Sequence, residues 1–415
     1  MTRAQRERGT GLAGALAVIE SVLADRGLST ELISAGSAEF PVHRCTVRDP
    51  AGRAVTASLG KGAGTQSRVS ALFEAWQHLQ HEEGQAALAR EHRDRRRVRA
   101  LSVTAVVSQP ELRGEEMIHR LARDYPGADL ACLRAEPMTP GRPALWYPAF
   151  SRSPSCRSHP IPGDDLCYEP YLRYAYDSGT ATGVAERDAL LHGLLEVVER
   201  DALSHAFLDW YLDGTSPLSV LDPGLLPPDL RHLHGEVAAQ LGTPPLVVDI
   251  TSDLGIPTYC ALPSRAGPYP GVIGSGASLD PEYAVERALT EVAQSSFNLS
   301  LGVDLTLGRR LESLRRWPLL ERCARLDPAP LIGRLAFDAR LPAAGPEGVD
   351  QQVAVILETL ERSGFAAYFF RWNPAHDRCP VLTVIVPGLE TFSMVHSAVP
   401  VLPTGRAVRR LAGHR

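Results

Sequence analysis

A Glu-bearing helix preceded by a glycine-rich turn occurs three times in this 415-residue chain, and this repeat constrains the fold more than any other feature. The shared phrase is a small residue, Leu, any residue, Glu, two further residues, and then Gln or Glu. Its copies are residues 71–77, 193–199 and 288–294, and the turns before them are residues 60–64, 178–183 and 271–277. One copy is ordinary in an amphipathic helix, whereas three with equivalent turns predict a shared centre.

The middle copy shows why these helices need a counter-charge. Five apolar residues recur at helical spacing and predict a buried face: Leu190, Leu191, Leu194, Leu195 and Val198. Glu196, Glu199 and Arg200 stand at i, i+3 and i+4, which places two carboxylates and a guanidinium on neighbouring turns. Two like charges at this spacing indicate a function that uses them.

Lys61 lies in the first glycine turn and is the only lysine in the sequence. The other 42 of the 43 Lys and Arg residues are arginine. A compact ammonium between two glycines suits a loop that closes tightly on a phosphate, where a planar guanidinium would not fit. A solvated surface lysine is the alternative interpretation.

Composition narrows the class of protein. The net charge of −5 argues against nucleic acid as a partner. No stretch approaches the roughly 18 apolar residues of a membrane span, and Glu20 interrupts the only run that imitates a signal peptide. Seven scattered cysteines without a C-x-x-C motif predict reduced thiols and a cytoplasmic protein.

Periodicity along the chain predicts an α+β, or mixed α/β, fold with mixed sheets, because helices and strands alternate irregularly. The predicted helices are residues 1 to about 35, 66–89, 114–124 and 353–362, together with the Glu-bearing helix that follows the central turn within residues 178–201 and the third Glu-bearing helix after the turn 271–277. The predicted strands are residues 43–48, 54–59, 101–107, 129–134, 246–250, 258–262, 271–275, 366–372 and 381–386, with a long loop at 136–174 and a proline-rich connector at 217–228. We expect one elaborated domain over residues 55–399, an N-terminal helix and the start of a hairpin at 1–54, and a basic tail at 400–415.

The residues at the three repeats carry a definite chemistry. Several carboxylates together with cations suit a nucleoside triphosphate and Mg²⁺, since carboxylates hold the metal and cations hold the phosphates. Without a metal, clustered carboxylates would repel one another. The candidates are Lys61, Glu74, Gln77, Glu196, Glu199, Arg200, Arg287, Glu291 and Gln294. Gly follows Lys61 where a P-loop needs Ser or Thr, so the site is of another type.

These three segments resemble the ATP-binding segments of the YcaO family, over about residues 55–399. The resemblance implies a YcaO-type fold, with mixed sheets and three Glu-bearing helices around an ATP site. It implies ATP and Mg²⁺ as cofactors and O-phosphorylation of a backbone amide in a ribosomally made precursor peptide. Cyclodehydration of Cys, Ser or Thr is the reaction that we expect, and an azoline is its product. Macroamidine or thioamide formation by the same activation is the alternative.

The resemblance also implies roles for individual residues. The expected metal ligands are Glu74, Gln77, Glu196, Glu199 and Glu291, and the expected nucleotide-binding residues are Lys61, Ser178, Arg200, Arg287 and Gln294. Gln77 stands where the family usually has a second Glu, and Ser178 stands where many members have Asn. No catalytic base is identified, and a catalytically silent subunit that binds nucleotide or peptide stays open.

The expected partners follow from the same resemblance. A precursor peptide is the substrate, and leader-binding modules in such pathways are separate small domains or separate proteins. Since such a module takes on the order of 80 residues and about 54 precede the resemblance, we expect a leader-binding partner. A homodimer is left open. The histidine pairs 78/81 and 232/234 lack a third ligand and are interpreted as exposed polar residues.

Overall fold

The computed structural model describes residues 7–91, 96–152, 160–164, 166–265, 271–300, 307–374, 376, 378–403 and 406–408. The chain packs into two compact units, each discontinuous in sequence. Unit 1 comprises Met1–Trp76, Val198–Gly348 and Phe392–Val401, and unit 2 comprises Gln77–Val197, Val349–Thr391 and Leu402–Arg415. The expected boundaries at residues 54 and 399 both fall inside unit 1 and stay predictions.

Eleven α-helices and fourteen strands are labelled here within the described residues. The first part of the chain holds α1 (Leu12–Asp25), β1 (Ser29–Gly36), β2 (Pro41–Arg48), β3 (Ala54–Gly60), α2 (Thr65–Glu91), β4 (Val98–Ser102), α3 (Val103–Val107), α4 (Glu116–Asp124), β5 (Asp129–Pro137) and β6 (Leu145–Pro148). The middle holds β7 (Thr180–Thr182), α5 (Glu186–Phe207), β8 (Leu218–Leu221), α6 (Pro228–Leu241), β9 (Pro245–Asp249), β10 (Thr258–Pro263), β11 (Gly274–Ala277) and α7 (Pro281–Ser300). The last part holds α8 (Leu307–Ser313), α9 (Pro318–Arg325), α10 (Ala329–Ile332), β12 (Leu335–Ala339), α11 (Val349–Arg362), β13 (Tyr368–Arg371) and β14 (Val381–Ile385).

Unit 1 begins with α1 and a three-stranded antiparallel sheet of order β1-β2-β3. The predicted first helix is confirmed over Leu12–Asp25 and wrong over residues 7–11 and beyond Asp25, while its residues 1–6 lie outside the described part. Gly27 has a φ of +67° and ends the helix, because a left-handed residue reverses the chain after the last turn. Ser29–Gly36 then pairs with β2, so distant pairing overrides the helical pattern. The predicted hairpin is confirmed, and Asp49 Oδ1 accepts hydrogen bonds from the backbone N–H groups of Ala51 and Arg53 across its turn.

The second sheet of unit 1 has the order β11-β10-β9-β8-β12. β8 and β12 are parallel, whereas its other pairs are antiparallel, so the sheet is mixed as predicted. β8 lies in the predicted proline-rich connector. Apolar residues of α6 and α7 form a core with this sheet, including Leu233, Val237, Ala288, Val292, Val247 and Tyr259.

Unit 2 contains a sheet of order β4-β5-β13-β14-β7, with β6 paired to β5. The predicted strand at 101–107 is wrong over most of its length. The strand ends at Ser102, whose Oγ accepts a hydrogen bond of 3.2 Å from Ala105 N and caps α3. A side-chain cap of this kind competes with strand pairing. The predicted loop at 136–174 contains β6, while its residues 153–159 and 165 lie outside the described part.

Candidate nucleotide site

In unit 1, the third repeated helix is held against its strand by glycines. A Cβ atom at Gly274 would lie 2.2 Å from the backbone nitrogen of Val292, and one at Gly276 would lie 2.4 Å from the carbonyl oxygen of Ala284. Such distances exclude any side chain, so β11 and α7 touch through their backbones. This contact places Arg287 and Glu291 of α7 at fixed positions beside the strand.

Lys61 forms an ion pair with Glu291. Lys61 follows β3, and the carboxylate of Glu291 stands on α7, so the first and third repeats meet in space. Their side chains are 23% and 20% exposed, respectively. The only lysine of the chain therefore faces a carboxylate that the sequence assigned to the metal, and this pair is partly open to solvent.

Glu199, from the second repeat, is the most deeply buried of the predicted carboxylates in unit 1. Its side chain is 2% exposed and accepts hydrogen bonds from Ser275 Oγ at 2.7 Å and Ala277 N at 3.2 Å. Arg287 Nη2 lies 3.4 Å from Oε2, the same carboxylate oxygen that accepts from Ala277 N. Burial alone would raise the pKa of Glu199, but Arg287, Arg200 and Lys61 outweigh it and hold the pKa below its ordinary value.

Glu7 joins this group, although no motif marked it. Its buried carboxylate accepts a hydrogen bond from Ser278 Oγ, and the same hydroxyl accepts one of 2.9 Å from Asp280 N. Burial raises the pKa of Glu7, while the nearby Arg287 opposes that effect. Arg287 thus sits in the field of three carboxylates, Glu199, Glu7 and Glu291.

His396 is a second residue that the sequence did not reveal. It lies on the 3₁₀ helix Phe392–Ser397, and its Nδ1 donates a hydrogen bond of 2.9 Å to Ser393 O. Burial lowers its pKa, and Arg200 lowers it further while Glu291 opposes both. Ser204 ties the same segment to α5, since its Oγ donates to Arg200 O at 2.6 Å and accepts from Ser393 N at 2.8 Å.

In unit 2, the central glycine turn carries two hydroxyls that lack a hydrogen-bond partner among the described residues. They are Ser178 Oγ and Thr182 Oγ1, and both side chains are buried. The fully buried Arg152 lies beneath this turn, with Nη1 3.5 Å from Ser178 O and its guanidinium 4.7 Å from the ring centroid of Tyr176. Buried polar atoms in proteins normally have partners, so these hydroxyls are suited to a ligand.

The remaining predicted residues are half-buried. Glu74, Arg200 and Gln294 belong to unit 1, and Gln77 and Glu196 belong to unit 2. Within the described part of the chain, no group of three or more His, Cys, Asp or Glu side chains is arranged to hold a metal. The predicted arrangement of all three Glu-bearing helices around one ATP therefore stays a prediction.

The interpretation of the four paired histidines as exposed is wrong for two of them. His81 is buried and contacts Arg152 O at 3.3 Å and Gln85 Nε2 at 2.8 Å. His234 is buried and bonds to Pro245 O at 2.9 Å. These backbone and amide partners satisfy the rings, so their burial needs no metal.

The residues of unit 1 fit ATP and Mg²⁺ by their chemistry. Lys61 and Arg287 are each paired with a carboxylate of the metal-binding type, Glu291 and Glu199 respectively. Arg287 Nε is buried and has no hydrogen-bond partner within the described residues. A triphosphate would supply the anion that such a nitrogen lacks, and Mg²⁺ would take the carboxylates that the cations release.

No helix in the described residues is both long enough and apolar enough to cross a membrane.

Comparison with known proteins supports the assignment of ATP and Mg²⁺ as ligands. Residues 59–390 match a family model described as "YcaO cyclodehydratase, ATP-ad Mg2+-binding". A protein of Methanothermobacter thermautotrophicus is 29% identical over 376 residues, which cover 88% of this chain and 89% of that protein.

Solved structures show the same fold. YcaO from Methanopyrus kandleri, bound with AMPPCP and Mg²⁺, is 21% identical with a TM-score of 0.60, over 95% of this chain and 96% of that one. A heterocyclase in complex with substrate and cofactor is 19% identical with a TM-score of 0.62, over 92% of this chain, which spans only 53% of the heterocyclase. The Escherichia coli microcin synthetase McbBCD complex, with pro-MccB17 bound, contains a chain that is 14% identical with a TM-score of 0.54, with 88% of each covered. The family match spans most of the sequence, and the protein belongs to the YcaO family, whose cofactors are ATP and Mg²⁺.

Proposed function

We propose that this protein uses ATP to activate a backbone amide of a ribosomally made peptide, and that the product is an azoline. The observation that carries the proposal is the paired-charge cluster of unit 1. There, Lys61 pairs with Glu291, and Arg287 pairs with Glu199. Glycines of β11 let that strand pack directly against α7, which carries Arg287 and Glu291. The family match and the fold of heterocyclases support the reaction class.

In this proposal the amide oxygen attacks the γ-phosphorus of ATP, and ADP leaves. The side chain of a neighbouring Cys, Ser or Thr then adds to the amide carbon and gives up its thiol or hydroxyl proton, inorganic phosphate leaves, and loss of the amide proton completes the azoline. An amide oxygen is a weak nucleophile, so catalysis rests on positioning and on cations that stabilise the phosphoryl group. Lys61 and Arg287 are suited to that task.

The roles of the other residues extend from this cluster. Glu199 and Glu291 would hold Mg²⁺, with Glu74, Glu196 and the amide oxygen of Gln77 as further ligands. Arg200, Ser178 and Gln294 would contact the nucleotide. The bound metal neutralises phosphate charge. Macroamidine and thioamide products follow from the same activation when a different nucleophile attacks.

We propose the cytoplasm as the setting, where the six described free cysteines stay reduced. The substrate is a precursor peptide, and we propose a leader-binding partner protein that raises the rate at low peptide concentration. The McbBCD structure, a complex with its peptide bound, supports a multi-protein arrangement. A homodimer is a further proposal that rests on no contact described here.

The single lysine allows a direct test of the nucleotide site. An acyl-phosphate derivative of ATP transfers its acyl group to an amine near the phosphates, and Lys61 is the only side-chain amine in the sequence. We expect mass spectrometry to find the acyl group on Lys61 and excess MgATP to suppress it, with the Lys61→Arg variant as the blank. Acylation that MgATP leaves unchanged would refute the assignment.

A catalytically silent subunit is the second candidate, and Gln77 is the observation that favours it. Gln77 offers an amide oxygen where the family usually has a carboxylate, so the metal site has one charge fewer. Release of ADP upon addition of precursor peptide and partner separates the two functions. ATP protection of Lys61 without any ADP release would identify a binding subunit. We expect Gln77→Glu to leave a working enzyme active.

A further inference from the structure

The outer edge of β1 is open. β1 pairs with β2 over eight consecutive positions, Ser29 to Gly36, without a bulge. Within the described residues, no strand pairs with its other edge. Most of the strand is exposed, and the Ile33 side chain is 44% exposed. An unpaired edge of this length presents a row of free backbone donors and acceptors.

This edge lacks the usual protection against added strands. Natural edges are blunted by proline, bulges or several charges, yet β1 contains no proline and one charged residue, Glu31, which Arg48 neutralises at 2.8 Å. The opposite edge of this sheet, strand β3, is less regular. Strand β3 has an irregular register against Arg48, and its Gly60 lies against the backbone of Ser67 and Ala71.

A pocket lies at the end of the open strand. Its volume is about 260 Å³, and its lining includes Gly36, Phe40, Val237, Ala239, Gly62 and Thr290. Phe40 and Val237 make the interior apolar, while Gln240 closes one side and bonds to Ala293 O at 2.8 Å. The volume suits one apolar side chain.

The pocket connects the open strand to the nucleotide cluster. Gly62 follows Lys61, and Thr290 precedes Glu291, so two lining residues adjoin the ion pair directly. Gly64 N also donates a hydrogen bond of 2.7 Å to Glu39 O, which ties the β1–β2 turn to the glycine turn that carries Lys61. The pocket lining thus includes the last residue of the open strand and the sequence neighbours of both members of the ion pair.

We propose that β1 is the docking strand for the peptide substrate, which binds as an added strand and places an apolar side chain in this pocket. This inference rests on the proposed function. Backbone pairing would hold many peptide sequences in one register, and the pocket would select among them. The bound chain would pass Gly62 and bring a neighbouring amide to the cluster, as a reaction that depends on positioning requires.

A second copy of this chain is the competing occupant of the edge. Two β1 strands could pair with each other, but such a pairing makes no use of the pocket or of its connection to Lys61. The peptide explains all three features together. The test therefore measures both peptide binding and oligomeric state.

The experiment uses an mRNA-displayed library of random 12-residue peptides, selected on the full chain. Two variants disable the proposed site. Ile33→Arg places a charge on the edge, and Ala239→Trp fills the pocket. Their matched controls are Leu319→Arg, on a similarly exposed apolar residue of α9, and Ala51→Trp, in the exposed β2–β3 turn. None of these residues belongs to the nucleotide cluster, and none of the variants adds a lysine.

We expect selected peptides to bind the native chain and both controls alike, and to bind Ile33→Arg and Ala239→Trp at least about tenfold more weakly. Failure to enrich any peptide, or equal binding to all variants, would overturn the inference. So would a dimer in light scattering that Ile33→Arg converts to a monomer. ATP protection of Lys61, measured on every variant, reports the proposed nucleotide site separately, because it can persist when peptide binding fails.

Discussion

Lys61 and Glu291 form an ion pair although 230 positions separate them in the sequence. The pair joins the turn after β3 to the helix α7, and its partial exposure leaves both charges accessible. A lysine that neutralises a carboxylate of metal-binding type is arranged for exchange of partners. Under the proposed function, phosphate would pair with Lys61 and Mg²⁺ with Glu291, so each charge would exchange one partner for another.

The first prediction concerns the shape of the Lys61 side chain. Lys61→Arg keeps the charge but places a planar group between Gly60 and Gly62, where a Cβ at Gly60 already has no room. We expect the KM for ATP to rise about tenfold, equivalent to about 1.4 kcal/mol, with little change in the midpoint of thermal unfolding. Unchanged ATP kinetics would show that the ammonium does not contact phosphate.

The second prediction concerns Glu199, whose buried carboxylate is bonded to Ser275, Ala277 and Arg287. Glu199→Gln can keep an amide oxygen toward Ala277 N and Arg287 Nη2 and donate its N–H₂ to Ser275 Oγ, but it removes the buried negative charge that pairs with Arg287. We expect a loss of about 1–3 kcal/mol in the free energy of unfolding at neutral pH, together with lost ATP turnover. Ser275→Ala, which removes one donor to the same carboxylate, should cost less.

The pH dependence of this effect has a definite sign. The folded-state pKa of Glu199 is lowered, because burial, which would raise it, is outweighed by Arg287, Arg200 and Lys61. Its contribution to stability is therefore present above the ordinary glutamate pKa and is lost as pH falls through the lowered value. Urea titrations should show the difference between native and Glu199→Gln protein shrinking in acid. A constant difference would contradict the assignment.

The third prediction concerns Glu7, whose pKa is raised by burial against the opposing field of Arg287. A raised carboxyl pKa changes stability in the direction opposite to that for Glu199. The contribution of Glu7 to stability therefore decreases as pH rises from the ordinary glutamate pKa through the raised value. Amide hydrogen exchange around residues 7–11 should quicken over that range beyond the intrinsic rate. Glu7→Gln should remove the additional dependence, and a persistent dependence would assign it to another group.

The fourth prediction separates close packing from helix propensity at two glycines of unit 1. Gly274→Ala forces a Cβ against the backbone of Val292 and Ala288, and we expect it to destabilise unit 1 by at least about 3 kcal/mol. Gly235 lies inside α6 with no atom within 4 Å of an added Cβ. Gly235→Ala should therefore stabilise the protein by about 0.5–1 kcal/mol. Denaturant unfolding of both variants checks the pair, and equal effects would refute the close contact.

Much of the candidate site could be predicted from local sequence. Glycine turns followed by amphipathic helices are short-range patterns, so Lys61, Glu199, Arg287 and Glu291 were identified without knowledge of the fold. Two of the predicted carboxylates, Glu291 and Glu199, form ion pairs with basic side chains of the protein. The family assignment also follows from local motifs, because three such motifs in order are specific.

Other features could not be predicted, because their determinants are far apart in the chain. β1 became a strand only through its pairing with β2, and β8 only through its place between β9 and β12. Glu7 contacts Ser278 across 271 positions, and no pattern around either residue marks the contact.

Local patterns in the amino-acid sequence are enough to assign the family, the glycine turns and the charged residues that follow them, since helical periodicity and turn chemistry act over a few positions. Tertiary structure decided which charges pair, which carboxylate is buried and which strand edge stays open. Those outcomes depend on contacts between residues far apart in the sequence, such as Lys61 with Glu291 across 230 positions, and on the burial that the packing creates.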